Sequence, residues 1–350
     1  MRALRKLAAW ILGSVLFLAG VLKLMDPTGA GLVVAEYFKF FGFAFLSFSS
    51  KTVGVALALF ESMLGAAVIT GVWRKVVATI SLVVLASFTI ITAILWIANP
   101  NMDCGCFGEA IHLTHAWSFI KNVILLGLWA LAYLPFHNLL PTHTLKYVAF
   151  GIASVLLVGF MFLGLGGLPM IDFTPFAPGT ELCGQDEPFN DDAPVLSFYD
   201  SDSEYCDSLA LASSVLIVSA YEPDRLSGRV VEGAASCLCD AEQEGLVPVF
   251  LAGCTPMGFE GTDGADSLRE YAFFADRRTL MTLNRSNGGA TLLRDGQIIC
   301  KWPSHRLPDA RELAELVSED ATTAVIDKNG PQRIRLQAFV LFEFAVMLLL

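Results

Sequence analysis

Two thiols separated by one residue are the most reactive feature of this 350-residue chain: Cys104-Gly105-Cys106, within N-M-D-C-G-C-F-G, residues 101–108. A disulfide across a single residue needs Cα atoms roughly 4.4–6.8 Å apart and a tight local turn. Gly105 supplies the backbone freedom such a turn demands. The ring is small, so its disulfide is expected to be strained and reducible, and a thiolate attacking a disulfide sulfur is the chemistry it offers. The alternative is a static staple, but a bond across one residue closes almost no loop and restrains little unfolded-chain entropy. A metal site is a third reading, since Cys104, Cys106, His112 and His115 are soft S and N donors. Their spacing is no standard zinc pattern, and no metal is expected. Glu61 completes the candidate set. It sits in the apolar run A-L-F-E-S-M-L-G, and an intramembrane carboxylate is by default functional. Glu343 has a weaker claim of the same kind.

These residues lie in or between long apolar runs. With 55% hydrophobic residues and a mean hydropathy of +0.59, the composition is that of a membrane protein. A basic head, Met1 to Lys6, precedes the first run, Leu7–Leu24; without a small-x-small cleavage site it reads as a span rather than a signal peptide. Further spans are expected at Thr52–Trp73, Val76–Ala98, Phe119–Phe136 and Tyr147–Met170, each able to cross a core of ~30 Å. Ala30–Ser49 reads as an amphipathic surface helix. Ile334–Leu350 is expected as a C-terminal anchor of marginal length, flanked by Arg333 and Arg335.

Basic loops at Arg74-Lys75 and Thr142–Lys146 then fall inside, by the positive-inside rule. The Cys104/Cys106 loop falls outside with residues 171–333. All eight cysteines lie in external segments on this topology, as an oxidising compartment would produce. Residues 171–333 carry 28 Asp/Glu against 12 Lys/Arg, and the rest of the chain 6 against 11, so the net charge of −11 joins a strongly acidic segment to a mildly basic membrane part. Such acidity argues against nucleic acid as a partner. Nucleotide-loop, nucleophile-elbow and zinc-protease motifs are lacking.

The external segment begins with a Pro/Gly-rich linker, residues 171–192. Strands are expected at Ser214–Ala220, Leu246–Ala252 and Tyr271–Ala275, with a hairpin around Asp295-Gly296. Helices are expected at Arg225–Glu244, Arg278–Arg285 and Pro308–Ser318. The order β-α-β-α-β-β-α is that of a thioredoxin-like fold, yet Tyr221-Glu-Pro-Asp-Arg225 stands where C-x-x-C would be, and Gly288-Gly289-Ala290 replaces the usual cis-proline. Dithiol exchange at that position is therefore not expected. Cys237-Leu-Cys239 falls in a helix, where i and i+2 do not face each other. These two are expected to pair structurally with Cys183, Cys206, Cys254 or Cys300.

The membrane part resembles the DoxX/MauE superfamily through F-L-A-G-V-L-K-L-M-D-P (Phe17–Pro27), Glu61, C-G-C-F-G-E-A-I-H-L-T (Cys104–Thr114) and Lys121-Asn122. It is most similar to MauE-like proteins and to DoxX-type membrane proteins of Bacteroidetes that carry a C-terminal external domain. The domain likeness rests on residues 279–302. The resemblance implies an α-helical integral membrane protein with a four-helix bundle, related to quinone-linked disulfide formers, plus additional spans and an external α/β thioredoxin-like domain. The expected organisation is a DoxX/MauE-like domain at 1–140, a fifth span at 141–170, the linker at 171–192, the external domain at 193–330 and an anchor at 331–350. The expected function is thiol/disulfide redox exchange between periplasmic client thiols and a membrane acceptor, with Cys104, Cys106 and Glu61 as the site, in a multi-pass inner-membrane protein of bacteria. Quinone enters by kinship alone. The competing reading is a non-catalytic periplasmic assembly or binding protein whose C-x-C loop is a structural disulfide.

Overall fold

The computed structural model describes residues 2–100, 102–135, 142–165, 167–184, 193–212, 214–262 and 264–349. The chain divides into two compact units, Met1–Gly166 with Leu336–Leu350, and Gly167–Arg335.

In the first unit, long apolar runs become helices because only helical hydrogen bonding satisfies the backbone inside a bilayer. Helix α1 spans Arg2–Met25. The Asp26 carboxylate then accepts from Gly29 N at 2.9 Å and Pro27 opens the first turn of α2, Pro27–Phe40. Gly42, at φ +80°, ends α2, so the expected surface helix Ala30–Ser49 is two pieces, the second a 3₁₀ turn at Ala44–Ser49. That turn runs into α3, Ser50–Thr70, which Gly71 closes in the left-handed conformation. Helix α4 follows at Arg74–Ala98, then the short extended stretch β1 at Cys106–Glu109, helix α5 at His115–Tyr133 and helix α6 at Thr144–Leu165. Among the described residues, five helices are long and apolar enough to cross a membrane, matching the five expected spans with shifted ends. The expected end of the fourth, Phe136, lies outside the described residues. The fifth stops at Leu165 rather than Met170, ahead of Gly167 and Pro169, neither of which sustains a helix.

Helices α1 and α3 make the tightest contact of this unit, because small residues meet there. A Cβ on Gly20 would overlap Ser62 N, and one on Gly65 would overlap Phe17 N. Outward side chains such as Ile97, Val155 and Phe162 are 85%, 72% and 64% exposed, a distribution that only a lipid environment tolerates.

The second unit holds a five-stranded sheet. After the short helix α7 (Ser208–Ala212), β2 (Val215–Ala220) leads through α8 (Gly228–Gln243) to β3 (Val247–Ala252). Helices α9 (Pro256–Glu260) and α10 (Ala265–Leu268) precede β4 (Ala272–Phe274), then come α11 (Arg277–Leu283), the hairpin β5 (Gly289–Arg294) and β6 (Gln297–Trp302), and α12 (Ala310–Ser318). The sheet order is β4-β3-β2-β5-β6, with β2, β3 and β4 parallel and β5 and β6 antiparallel. Strand alternation divides the core: Leu216 and Val218 join Leu238 and Leu313 on one face, and Val215 and Ile217 join Leu280 and Phe198 on the other. Each strand and helix expected here is present, with ends moved by a few residues.

Helix α13, Ala321–Leu349, begins in the second unit and ends in the first. The expected anchor Ile334–Leu350 falls within it, but it is not among the five spanning helices, since Arg333, Arg335 and Glu343 interrupt its apolar run. Its last part packs on the bundle: Phe339 stacks on Phe160 at 4.5 Å, Phe344 meets Phe17 edge-on at 5.3 Å, and Lys146 Nζ donates to Met347 O at 3.1 Å. Glu343 is fully buried there, and no described residue hydrogen-bonds its carboxylate.

Candidate functional site

The Cys104–Cys106 loop is held against the membrane bundle by two contacts from α2. Tyr37 Oη donates to the carbonyl of Cys104 at 2.8 Å. Val33 covers Gly105 so closely that a Cβ there would overlap its side chain, and Gly105 sits at φ +61°, which glycine alone adopts without strain. The loop thereby turns its two sulfur atoms together. Cys104 Sγ and Cys106 Sγ stand 3.2 Å apart as thiols in hydrogen-bond contact, Cys104 buried and Cys106 half-buried.

Three further helices complete the site. Lys23, near the end of α1, places its ammonium 2.6 Å from Glu61 Oε2 of α3, with both side chains largely withdrawn from solvent (16% and 7% exposed). From α5, Lys121 carries its Nζ 4.8 Å from the centre of the Phe107 ring, one residue past Cys106. Asn122 of α5 donates to Thr92 of α4 at 3.1 Å, and Thr92 in turn donates to Phe88 O at 2.8 Å, which ties α5 to α4 beside the loop.

These groups border one cavity of about 350 Å³. Its wall is apolar, with Val33, Phe38, Phe41, Leu57, Phe88 and Ile91, and its polar end gathers Cys104, Cys106, Tyr37, Lys23, Glu61 and Lys121. The volume lies at the lower end of the usual range for small-molecule sites, roughly 300–1,000 Å³.

The local field separates the two sulfurs. The hydrogen-bond contact with Cys104 acts on Cys106 first, and the ammonium charges of Lys121 and Lys23 add to it; together they outweigh burial and bring Cys106 down to about 5. Cys104 is driven the other way, well above the ordinary thiol range, first by its bond to Cys106 and then by burial. The field thus favours ionisation of Cys106 over Cys104. Tyr37 is pushed far up by burial and stays a neutral donor.

All three residues singled out from the sequence, Cys104, Cys106 and Glu61, therefore meet at one cavity. Lys23, Lys121 and Tyr37 were not recognised as chemistry. The two lysines were visible only as parts of the K-L-M-D-P and K-N segments. A lysine near a helix end reads as a side chain reaching for the interface, and nothing in one sequence shows that it turns inward. The two histidines do not join the site: His115 Nε2 is 3.1 Å from Pro100 O, and His112 Nδ1 is 3.6 Å from Asp103. Among the described residues no three His, Cys, Asp or Glu side chains gather as metal ligands.

The remaining cysteines belong to the second unit, and the expected disulfides do not appear: all eight cysteines are free thiols. Cys237 and Cys300 are buried in the core as small apolar side chains, where burial pushes Cys237 up to about 12. Cys239 is exposed on the other side of α8. At the end of β2, Asn287 accepts from Glu222 N at 3.0 Å and donates to Glu222 O at 2.8 Å, while the Glu222 carboxylate pairs with Arg225 and Arg277. Tyr221–Arg225 thus carries an ion-pair cluster and no cysteine.

The family model described as Methylamine utilisation protein MauE matches residues 1–135. Residues 1–135 are thus similar to that family. The match takes in helices α1 to α5 and every residue of the cavity's polar end, and the second unit lies beyond it. No curated protein and no solved structure matches the chain. The chain is thus a multi-pass membrane protein whose first 135 residues resemble the MauE family, with an α/β unit beyond the match.

Proposed function

We propose that the MauE-type module is a thiol/disulfide redox protein that passes electron pairs between client thiols and a lipid-soluble acceptor through Cys104 and Cys106. The observation that carries this reading is the juxtaposition of a split thiol pair with an apolar cavity bordered by two ammonium groups. A structural staple needs neither a stabilised thiolate nor a cavity. Cys106, accessible and ionised, is the sulfur that forms the mixed disulfide; Cys104, buried and protonated, resolves it. The family kinship and the cavity's apolar wall with one polar end together favour a quinone, which would supply a two-electron, two-proton acceptor. Tyr37, Lys23 and Lys121 are the groups able to bind its oxygens.

The second unit has the strand order of a thioredoxin-like core, and we read it as such a domain with its exchange position replaced by the Glu222–Asn287 cluster. On that reading it holds clients rather than exchanging thiols with them. The loop and the second unit are assigned to the periplasmic side of a bacterial inner membrane by the distribution of basic loops and cysteines.

Thiol trapping in membranes tests the proposal. Poised with glutathione, Cys104 and Cys106 are expected to titrate reversibly together, and Cys104→Ser to accumulate a mixed disulfide through Cys106. A pair that keeps one oxidation state at every poise, with no trapped partner, would make the loop a staple.

A further inference from the structure

We infer that the second unit carries a binding site for a phosphate group, in a cavity bordered by Arg285, Lys301 and Arg333. The cavity measures about 70 Å³. One water needs roughly 10–15 Å³, so a tetrahedral oxyanion has room there. Every lining residue belongs to the second unit, and the cysteine loop takes no part.

Three stretches of chain bring the cations together. Arg285, two residues past α11, is 4% exposed, and Lys301 of β6 has its side chain 5% exposed. Asn329, Gln332 and Arg333 stand at i, i+3 and i+4 on α13, so they share one face of that helix. The convergence runs against composition. Residues 171–333 hold 28 acidic and 12 basic side chains, yet among the described residues three of the basic ones and a single acidic one, Asp172, border the cavity. Asp172 is occupied by its own partners: Thr174 N donates to Oδ1 at 2.9 Å, and Lys301 Nζ donates to Oδ2 at 2.5 Å. Three cations against one carboxylate leave the described lining with a charge of +2.

The buried cations keep structural partners as well; Arg285 Nη1, for one, donates to Met281 O at 3.1 Å. A guanidinium has five N–H donors and an ammonium three, so each can serve such a partner and an oxyanion together. Guanidinium forks and a lysine point charge are the groups that recognise phosphate oxygens. Much of the remaining lining is apolar. It comes from residues 168–171, Leu-Pro-Met-Ile, which begin three residues after α6 ends at Leu165. Three residues are at most about 11 Å of chain. A site part cationic and part apolar, built where the chain leaves a spanning helix, suits the phosphate of an anionic lipid with its first methylenes better than a free ion. Both sources present the same chemistry to the cations, and the experiment separates them.

The full-length protein, delipidated in a neutral detergent, is titrated with dioleoylphosphatidylglycerol, dioleoylphosphatidylcholine or inorganic phosphate, and bound adducts are counted by native mass spectrometry. Arg333 is exposed, so Arg333→Gln removes a cation without removing packing. Arg335→Gln removes the same charge from a position outside the cavity lining. Phosphatidylglycerol is expected to bind the wild type and Arg335→Gln alike, and Arg333→Gln about tenfold more weakly. Phosphatidylcholine is expected to bind all three proteins equally. If inorganic phosphate is instead the probe that Arg333→Gln weakens, while both lipids bind the three proteins equally, the site stands and its ligand is a free phosphate. If Arg333→Gln binds every probe as the wild type does, or Arg335→Gln loses as much as Arg333→Gln, the phosphate site is overturned.

Discussion

Removing either partner of the Lys23–Glu61 pair is expected to cost far more than removing both. The two charges stand 2.6 Å apart and are 16% and 7% exposed. At that distance the attraction is about 6 kcal/mol for an effective dielectric near 20, against less than about 2 kcal/mol in bulk water. Much of this only offsets the desolvation of the two groups, so the net worth of the pair is small. The cost of leaving one charge alone is not: roughly 3–5 kcal/mol for a buried pair. Lys23→Met and Glu61→Met should each destabilise the bundle by about that amount, whereas Lys23→Met/Glu61→Met should recover most of the loss. Reversible SDS titration of the full-length protein, followed by tryptophan fluorescence, gives the double-mutant cycle. The reasoning fails if each single variant costs under about 1 kcal/mol and the losses simply add, as they do for a hydrated surface pair. The cavity's polar end would then be wet.

Two structural substitutions separate the loop from the bundle. Gly105→Ala meets both the φ +61° backbone and the Val33 side chain, so it should pull the sulfurs apart and raise the alkylation midpoint of Cys106; Gly105→Ala/Val33→Ala should relieve the overlap but not the backbone strain, giving partial recovery. Gly65→Val drives a branched side chain into the backbone of α1 at Phe17 and should abolish the folded bundle in detergent, whereas Gly151→Ala, with open space around it on α6, should leave the unfolding midpoint unchanged within about 0.5 kcal/mol.

The architecture was legible because both units follow strong periodicities. Five apolar runs of span length became five helices, and the alternating strands of the second unit fell where hydrophobic pattern and turn residues put them. The errors lie at ends and breaks. Gly42 divides the stretch read as one surface helix, since an isolated glycine does not announce whether a helix tolerates it or stops. The C-terminal run, broken by Arg333, Arg335 and Glu343, is not among the five helices apolar enough to span, and its apolar residues pack on α1 and α6. Cysteine pairing was beyond reach for another reason: Cys237 and Cys300 fill core positions as small apolar side chains, an environment that spacing along the chain does not reveal.

The site shows where such reading stops. A carboxylate in a span and a C-x-C loop are anomalies against their surroundings, so Glu61, Cys104 and Cys106 stand out. Lysines near helix ends are ordinary, and Lys23 and Lys121 acquire meaning only when packing turns them toward the same cavity. On the proposed redox reading the chemistry nevertheless depends on them. Two thiols 3.2 Å apart in a symmetric environment would share a proton and offer neither an attacking nor a resolving sulfur. The asymmetry comes first from the contact between the two sulfurs, and the ammonium charges of Lys121 and Lys23, supplied by helices separated in sequence by nearly a hundred residues, lower Cys106 further. On the proposed redox reading, the C-x-C motif therefore supplies the atoms that would react, and the packing of α1, α2, α3 and α5 around it favours Cys106 as the attacking sulfur.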